Sequence, residues 1–469
     1  MALSLKHSSV LVKLAGGVLS IDGDSGCILN HLTPSLVPMY YTKVTIVFIT
    51  GLGVLDMKVG LHPALSDTNL DANQPSSQRQ LSIAIRAITQ SQDQSLPLNL
   101  CLILDHSGSM HGRPLETVKK AAMQLIERLK EGDRICVIAF DHRAKVLVPN
   151  QAIDNLNTIK SQIRQLSADG GTAIDEGLKL GIEEVAKGKA DAVSQVFLLT
   201  DGENEHGDNE RCLKLAHFAV EHKLTINTLG FGASWNQDVL EKIADSGSGT
   251  LCYIEQPEQA VQEFGRLFNR IQAVGLTNAY LLCELMDGVR FAEFKPIAQV
   301  APDTIELPLQ PQGDQFVVRL GDLMTDAERV ILANLYMGQL SPGYQAIAKL
   351  QVLYDDPATG EEGLKSEQVP VEINVQSTYQ PSPNTKVQQS ILALAKYRQT
   401  QIAEAKLQTG DRSGAATMLQ TAANTAIQMG DKSAATVLQT NATRLQSGEE
   451  LSDADRKKTR IVSKTILQD

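Results

Sequence analysis

Five oxygen-bearing side chains fall in three short stretches of this 469-residue chain. The first, LCLILDHSGSM from Leu100 to Met110, sets Asp105, Ser107 and Ser109 at alternate positions. The second, DGGTAIDEGL, carries Thr172 directly after Gly170 and Gly171. The third, LLTDGENEHGD, carries Asp201 at the end of an apolar run. Two carboxylates and three hydroxyls make an all-oxygen set for one hard divalent cation. Mg²⁺ takes octahedral oxygen geometry and keeps several waters, so hydroxyls with few direct carboxylates suit it; Mn²⁺ and Ca²⁺ are the alternatives. Alternate spacing lets Ser107 and Ser109 face one side of an extended turn. Gly108 and the Gly170–Gly171 pair let backbone pack closely beneath them.

Other chemistries fit the same residues less well. Ser107 as a hydrolase nucleophile lacks the G-x-S-x-G elbow. His106, His111, His142 and His206 are loop residues with no HExxH pattern, so zinc ligation is disfavoured against solvated histidines. The acidic loop of Asp201, Glu203, Glu205 and Asp208 reads as a solvated loop rather than as a docking feature.

The elements that must position these groups alternate between two periods. Short apolar runs read as buried parallel strands: LNLCLILD, RICVIAF, QVFLLTD, TINTLGFG and LCYIE. AKVLVPN, from Ala144 to Asn150, follows RICVIAF after a tight turn and reads as an antiparallel edge strand. Between them, apolar residues recur at spacings of three and four, as at Leu115, Val118, Ala122, Leu125 and Leu129, or at Ile174, Leu178, Ile182 and Val185. Strand–helix alternation of this kind predicts an α/β domain with a doubly wound, mostly parallel sheet. Ligands of such sheets bind beyond the carboxyl ends of the strands, where Asp105 and Asp201 fall. D-x-S-x-S alone is a weak signal. Its order with Gly-Gly-Thr before a helix and Thr-Asp-Gly after a later strand makes it specific.

With those pieces in that order, the stretch from about Leu98 to Ala273 resembles the von Willebrand factor type A (VWA) domain with its metal-ion-dependent adhesion site, in a bacterial-type multidomain chain. The resemblance implies a Rossmann-like fold and a complete site. Ser107, Ser109 and Thr172 would hold the ion or its waters directly, and Asp105 and Asp201 would act mainly through waters. An open coordination position would accept an Asp or Glu from a protein partner. With few direct carboxylates the ion keeps positive character, and charge pairing is stronger where water is partly excluded. The bland alternative is an ion that only holds loops together.

The flanks read as strands and then helices. LSIAIRAI, TIELPL, DQFVVRLGDL, RVILANLYMG, AKLQVLYDD and QVPVEINVQ are separated by turn residues. Residues 57–97 supply too few strands for a core of their own. They are therefore expected to join residues 274–377 in a β-sandwich into which the α/β domain, residues 98–273, is inserted; an independent arm is the alternative. Residues 378–384 read as a Pro-rich linker. Residues 385–469 read as a helical hairpin or bundle. LQTGDRSGAATMLQTAA and IQMGDKSAATVLQTNA repeat at a period of about 20, with Gly ending one short helix and Asp or Ser capping the next. A self-contained bundle or dimerisation element is preferred there to a peptide groove. Residues 1–56 show no sustained period and read as an irregular leader, either ahead of a biological start at Met57 or as an amino-terminal extension of the chain.

Composition narrows the class. Apolar residues make up 42% and charged residues 21%, a globular balance, and aromatics at 4% leave a mainly aliphatic core. Asp and Glu outnumber Lys and Arg by 54 to 43, which disfavours a nucleic-acid or anionic-membrane surface. The six cysteines form no CxxC pair and read as buried hydrophobes of a reducing compartment. No apolar run is long enough to span a membrane, and the amino terminus makes a poor signal peptide, so a cytoplasmic location is expected. The expected function is a non-enzymatic, metal-dependent protein-binding scaffold. The alternatives are an adaptor of an ATP-driven, chelatase- or AAA-type assembly, whose ATPase would be another chain since no G-x-x-x-x-G-K-[ST] occurs, and a metal-dependent hydrolase.

Overall fold

The computed structural model describes residues 58–88, 96–188, 192–232 and 234–464, and the backbone of an antiparallel strand pair, Val10–Leu14 with Gly17–Ile21. The chain divides into two units, Met1–Leu55 and Asp56–Asp469. The Met57 boundary and Cys27 lie outside the described residues.

In the second unit the α/β domain holds a six-stranded sheet. Its strands are β1 (Leu98–Asp105), β2 (Arg134–Phe140), β3 (Ala144–Ala152), β4 (Val193–Thr200), β5 (Thr225–Phe231) and β6 (Ser248–Ile254), in the order β6-β5-β4-β1-β2-β3. All pairings are parallel except β2 with β3. The inner strands β1, β2, β4 and β5 are buried on both faces, which is why their sequences read as apolar runs without alternation. The two faces still separate by parity. Leu98, Leu100, Leu102 and Leu104 meet α1 (Arg113–Ile126), α2 (Leu156–Arg164) and α6 (Ala260–Gln272) on one side. Cys101 and Ile103 meet α3 (Ile174–Ala186), α4 (Asn209–Glu221) and α5 (Gln237–Ser246) on the other. Each such fully buried Leu or Ile contributes about 1.5–3 kcal/mol.

The sandwich is built from both flanks. Ser76–Ala87 pairs antiparallel with Arg329–Gly338, Ile83 opposite Ile331, and Asn69–Asp71 pairs in parallel with Val369–Gln376. The α/β domain is thus an insertion between strands of a second fold. Ile83, Ile85, Leu281, Val318, Ile331, Leu350 and Ile373 fill the space between the two sheets. Sequence periodicity had not singled out Val274–Leu285, although this strand pairs on both edges. Conversely, TIELPL yields only the two-residue strand Ile305–Glu306, since Pro308 has no N–H to give a ladder.

The sandwich meets the α/β domain at the amino ends of its strands. Asp322 accepts from the Gln195 amide at 2.7 Å and the Thr225 hydroxyl at 2.9 Å, and Arg319 donates to Ser248 Oγ at 2.8 Å. The carboxyl ends of the sheet therefore face away from the sandwich.

Residues 378–384 are tied down rather than loose. Tyr379 donates to Asp67 at 2.6 Å, the Ser382 N–H donates to the same carboxylate at 3.1 Å, and Asn384 caps the next helix. That helix, α7 (Thr385–Gln408), has 24 residues and is not one of the short helices expected. It lies on the outer face of one sandwich sheet, where Val387, Leu394 and Tyr397 pack on Ala298, Val300 and Leu332. Then follow α8 (Arg412–Met429), α9 (Lys432–Gln446) and α10 (Asp453–Lys464). Gly410 and Gly430 each take φ of +81°, and Asp411 and Asp431 cap α8 and α9. No described helix is long and apolar enough to cross a membrane.

Candidate metal centre

Strand β1 delivers Asp105, fully buried, to the carboxyl edge of the sheet. The chain then turns on that carboxylate. Asp105 Oδ1 accepts from the Ser107 N–H at 2.8 Å, and Oδ2 accepts from the Thr200 hydroxyl at 2.5 Å. Backbone bonds stitch the turn to its neighbours: His106 N–H to the Phe140 carbonyl, Gly108 N–H to the Gly170 carbonyl and Asp169 N–H to the His106 carbonyl, each 2.9 Å. A Cβ on Gly108 would come within 3.3 Å of the Gly170 oxygen, so the two glycine-bearing loops meet closely here.

The hydroxyls continue the chain of oxygens. Ser107 Oγ lies 3.1 Å from Ser109 Oγ, and Ser109 Oγ donates to Asp201 Oδ1 at 2.6 Å. Thr172 is buried, and its hydroxyl lies 3.1 Å from the point a Cβ on Gly202 would occupy, beside Asp201. The Thr172 carbonyl accepts from the His206 N–H at 3.0 Å, and the Ile174 N–H donates to Asn204 Oδ1 at 2.6 Å. Asp105, Ser107, Ser109 and Asp201 are thus joined in one hydrogen-bonded run, with Thr172 against the loop that carries Asp201. Burial falls from Asp105 through Ser107 to the exposed Ser109, which puts the opening at the turn.

The electrostatics are those of unneutralised acids. Burial pushes the Asp105 carboxyl up to about 6, with the hydrogen bonds from Thr200 and Ser107 pulling the other way and the Asp201 charge adding to the rise. Burial also raises Asp201, against the bond from Ser109. No cationic side chain among the described residues acts on either carboxylate. A donor set of hard oxygens around two buried, unpaired carboxylates fits a divalent cation.

The histidines have other places. His106 is buried, with Nδ1 3.0 Å from the Ser167 carbonyl, and burial lowers its pKa. The His142 and His206 rings lie over Gly170 and Gly171, where a Cβ would come within 2.4 and 2.3 Å of them. No group of three or more His, Cys, Asp and Glu side chains among the described residues is placed to hold a metal. The oxygen set has two carboxylates, and its remaining members are hydroxyls.

Three supporting roles escaped the sequence reading, although Thr200 stands in the Thr-Asp-Gly motif. Thr200 holds Asp105 from the last position of β4. Asn204 pins the start of α3, and Arg211 ties α4 to Asp175 at 2.8 Å and to Glu176 at 2.5 Å. Only Thr200 left a trace, as a hydroxyl closing an otherwise apolar strand.

This sheet order and this edge define a VWA domain, and residues 99–266 match the model of the von Willebrand factor type A domain. Residues 385–469 match the Sll0103-like, C-terminal alpha-helical domain. The chain is 63% identical over 412 residues to the uncharacterized protein sll0103 of Synechocystis sp., covering 88% of this chain and 98% of that one. It belongs to the Sll0103-like family of VWA proteins. A more distant relative, the inter-alpha-trypsin inhibitor heavy chain H1 of Mesocricetus auratus, is 30% identical over 196 residues, which span 21% of that protein. Among solved structures, a von Willebrand factor type A protein from Catenulispora acidiphila superposes with a TM-score of 0.72 at 17% identity, covering 89% of this chain and 99% of that one. It shares the fold.

Proposed function

We propose that the chain is a docking module that binds an acidic side chain of a protein partner through a Mg²⁺ ion at the carboxyl edge of the VWA sheet. The observation that carries this reading is the run of oxygens from Asp105 to Asp201 with no cation beside it. Ser107, Ser109 and Thr172 would be the direct ligands, with Asp105 and Asp201 holding ion-bound waters. When bound, the ion supplies an electrophilic position that a carboxylate can occupy.

This chain's own residues prepare that position. Asp105, fixed by Thr200 and the Ser107 N–H, orients the Ser107–Gly108–Ser109 turn. Ser109 links the turn to Asp201 and leaves its own side open to solvent. The stitched loops keep the hydroxyls in place before a partner arrives, which reduces the ordering cost of binding. On this reading the module acts by binding and not by turnover; among the described residues the Ser107 and Ser109 hydroxyls bond to each other and to Asp201, and no histidine bonds to either.

The test is affinity capture with the full chain in Mg²⁺, in EDTA and with Ser107→Ala. Partners that bind in Mg²⁺ and are lost in the other two conditions support the reading. Identical partner lists in all three remove the ion from the mechanism.

A further inference from the structure

A cleft of about 340 Å³ opens where α6 meets the sandwich. Three guanidinium groups line it: Arg266 and Arg270 from the second half of α6, and Arg329 from the start of a sandwich strand. Asp326 and Glu328, both exposed, sit on the turn before that strand. Asp303 completes the charged lining.

Arg329 is the anomaly. It is buried, and among the described residues no carboxylate pairs with it. One terminal nitrogen donates to the Gln299 side chain and the other to the Asp322 carbonyl at 2.9 Å, while the enclosed Nε has no partner. Of the acids nearest in charge, one is engaged outside the cleft and one pairs with a cleft arginine, and Arg266 itself meets Glu263 at 2.9 Å. The Asp322 carboxylate takes its bonds from Gln195 and Thr225, and Asp303 takes the Thr250 hydroxyl at 3.2 Å and Arg270 at 3.5 Å. Burial, with the like charge of Arg270 next, pulls the Arg329 pKa down to about 10. Asp322 and Asp303 offset that burial only in part, no carboxylate bonds the guanidinium directly, and an anion beside it would relieve the remaining cost. The carboxyl end of α6 is capped. Its terminal carbonyl, at Ala273, is already taken by Thr325 through the N–H at 2.8 Å and the hydroxyl at 3.1 Å.

We propose that this cleft binds a small oxyanion ligand, phosphate- or carboxylate-bearing, through Arg266, Arg270 and Arg329. The volume is that of a small-molecule site and exceeds what a lone ion fills. Planar guanidinium groups pair two oxygens at once, which suits both ligand types. The cleft lies on the sandwich side of the domain, away from Asp105 and Asp201, so ligand binding would stiffen the joint between α6 and the sandwich and leave the metal edge untouched. This inference stands apart from the metal reading.

Calorimetric titration of the full chain in EDTA tests it, with pyrophosphate and citrate as probes and chloride at matched ionic strength as the control. Saturable binding of either probe, weakened at least tenfold in Arg270→Gln and in Arg266→Gln, supports the site. Preference for pyrophosphate assigns phosphate chemistry, and preference for citrate assigns carboxylate chemistry. Absence of saturable binding at millimolar probe overturns the proposal, as does binding unchanged in the Arg266→Gln/Arg270→Gln double variant. Arg329→Met, where it folds by circular dichroism, should also lose the probe; unaltered binding there removes the buried arginine from the site.

Discussion

Replacing Asp105 with Asn should stabilise the protein in the absence of divalent cations. The carboxylate is fully buried, and its neighbours are an N–H, two hydroxyl-bearing residues and a second acid. Its pKa rises from 3.8 to about 6 because burial penalises the charge. A carboxyl whose folded pKa lies above its unfolded value favours the folded state fully below pH ~4, and that contribution is lost as pH rises through ~6. Two pKa units at about 1.36 kcal/mol each give roughly 3 kcal/mol of destabilisation at neutral pH. Asn keeps the shape. Its Oδ1 accepts from the Ser107 N–H, and its amide faces Thr200 Oγ1, whose proton can turn to the Gly202 carbonyl 3.5 Å away.

Urea unfolding in EDTA, from acid to neutral pH, reads this directly. The two proteins should match near pH ~4 and diverge by up to about 3 kcal/mol at neutral pH, with Asp105→Asn the more stable. A residual slope should remain in both, since Asp201 is also raised by burial. Adding Mg²⁺ should then stabilise the wild type by mass action and the variant much less. A variant less stable than the wild type in EDTA at neutral pH would refute the reasoning. So would a wild type whose stability, relative to the variant, does not fall across that range.

Three further outcomes follow from the same structure. Ser109→Ala removes the bond to Asp201 at an exposed position, so the fold should persist while the Mg²⁺-dependent rise in Tm weakens, by about tenfold in affinity. Gly207→Ala would set a methyl 2.1 Å from Asp175 Oδ1 and 2.2 Å from Asn204 Oδ1, and should cost about 1–3 kcal/mol in urea unfolding. Lys396→Met leaves Asp431 without the buried ammonium 2.9 Å away and should cost about 3–5 kcal/mol, read as a lower urea midpoint.

The α/β domain was legible because burial on both faces writes itself into local sequence. Leu98 to Leu104 is apolar but for Asn99, and the helices between strands keep one apolar stripe. The sandwich was less legible, since Ser76–Ala87 finds its partner at Arg329–Gly338, and no local period encodes a partner so far along the chain. The site split in the same way. Asp105, Ser107, Ser109, Thr172 and Asp201 stood out as polar residues at strand ends, whereas Asn204 and Arg211 act only once loops close in space. The length of α7 was misjudged because a 20-residue repeat invites short helices, although no Gly or Pro interrupts Thr385–Gln408. The closing helix, Asp453–Lys464, is strongly charged, yet its Lys457 and Lys464 are buried.

That last helix lies along α5 of the VWA domain, and its two ends are fastened differently. At the carboxyl end Lys464 sits between Glu241 and Asp245, both at 2.8 Å, and its backbone carbonyl accepts from the Thr304 N–H. Arg460 reaches the same buried Glu241. These pairs are largely out of water, where salt screens them little. Toward the amino end Lys458 meets Glu255, with both side chains more than a third exposed. Lys457 there rests 4.4 Å from the Trp235 ring and feels the charge of Glu203, two residues beyond Asp201. The polar sandwich junction fixes the amino ends of the sheet by buried hydrogen bonds. The VWA domain is therefore held at its base and along one flank, by buried ion pairs near the carboxyl end of α10 and by an exposed pair toward its amino end. The exposed Lys458–Glu255 pair should therefore yield to salt before the enclosed Lys464 pairs do.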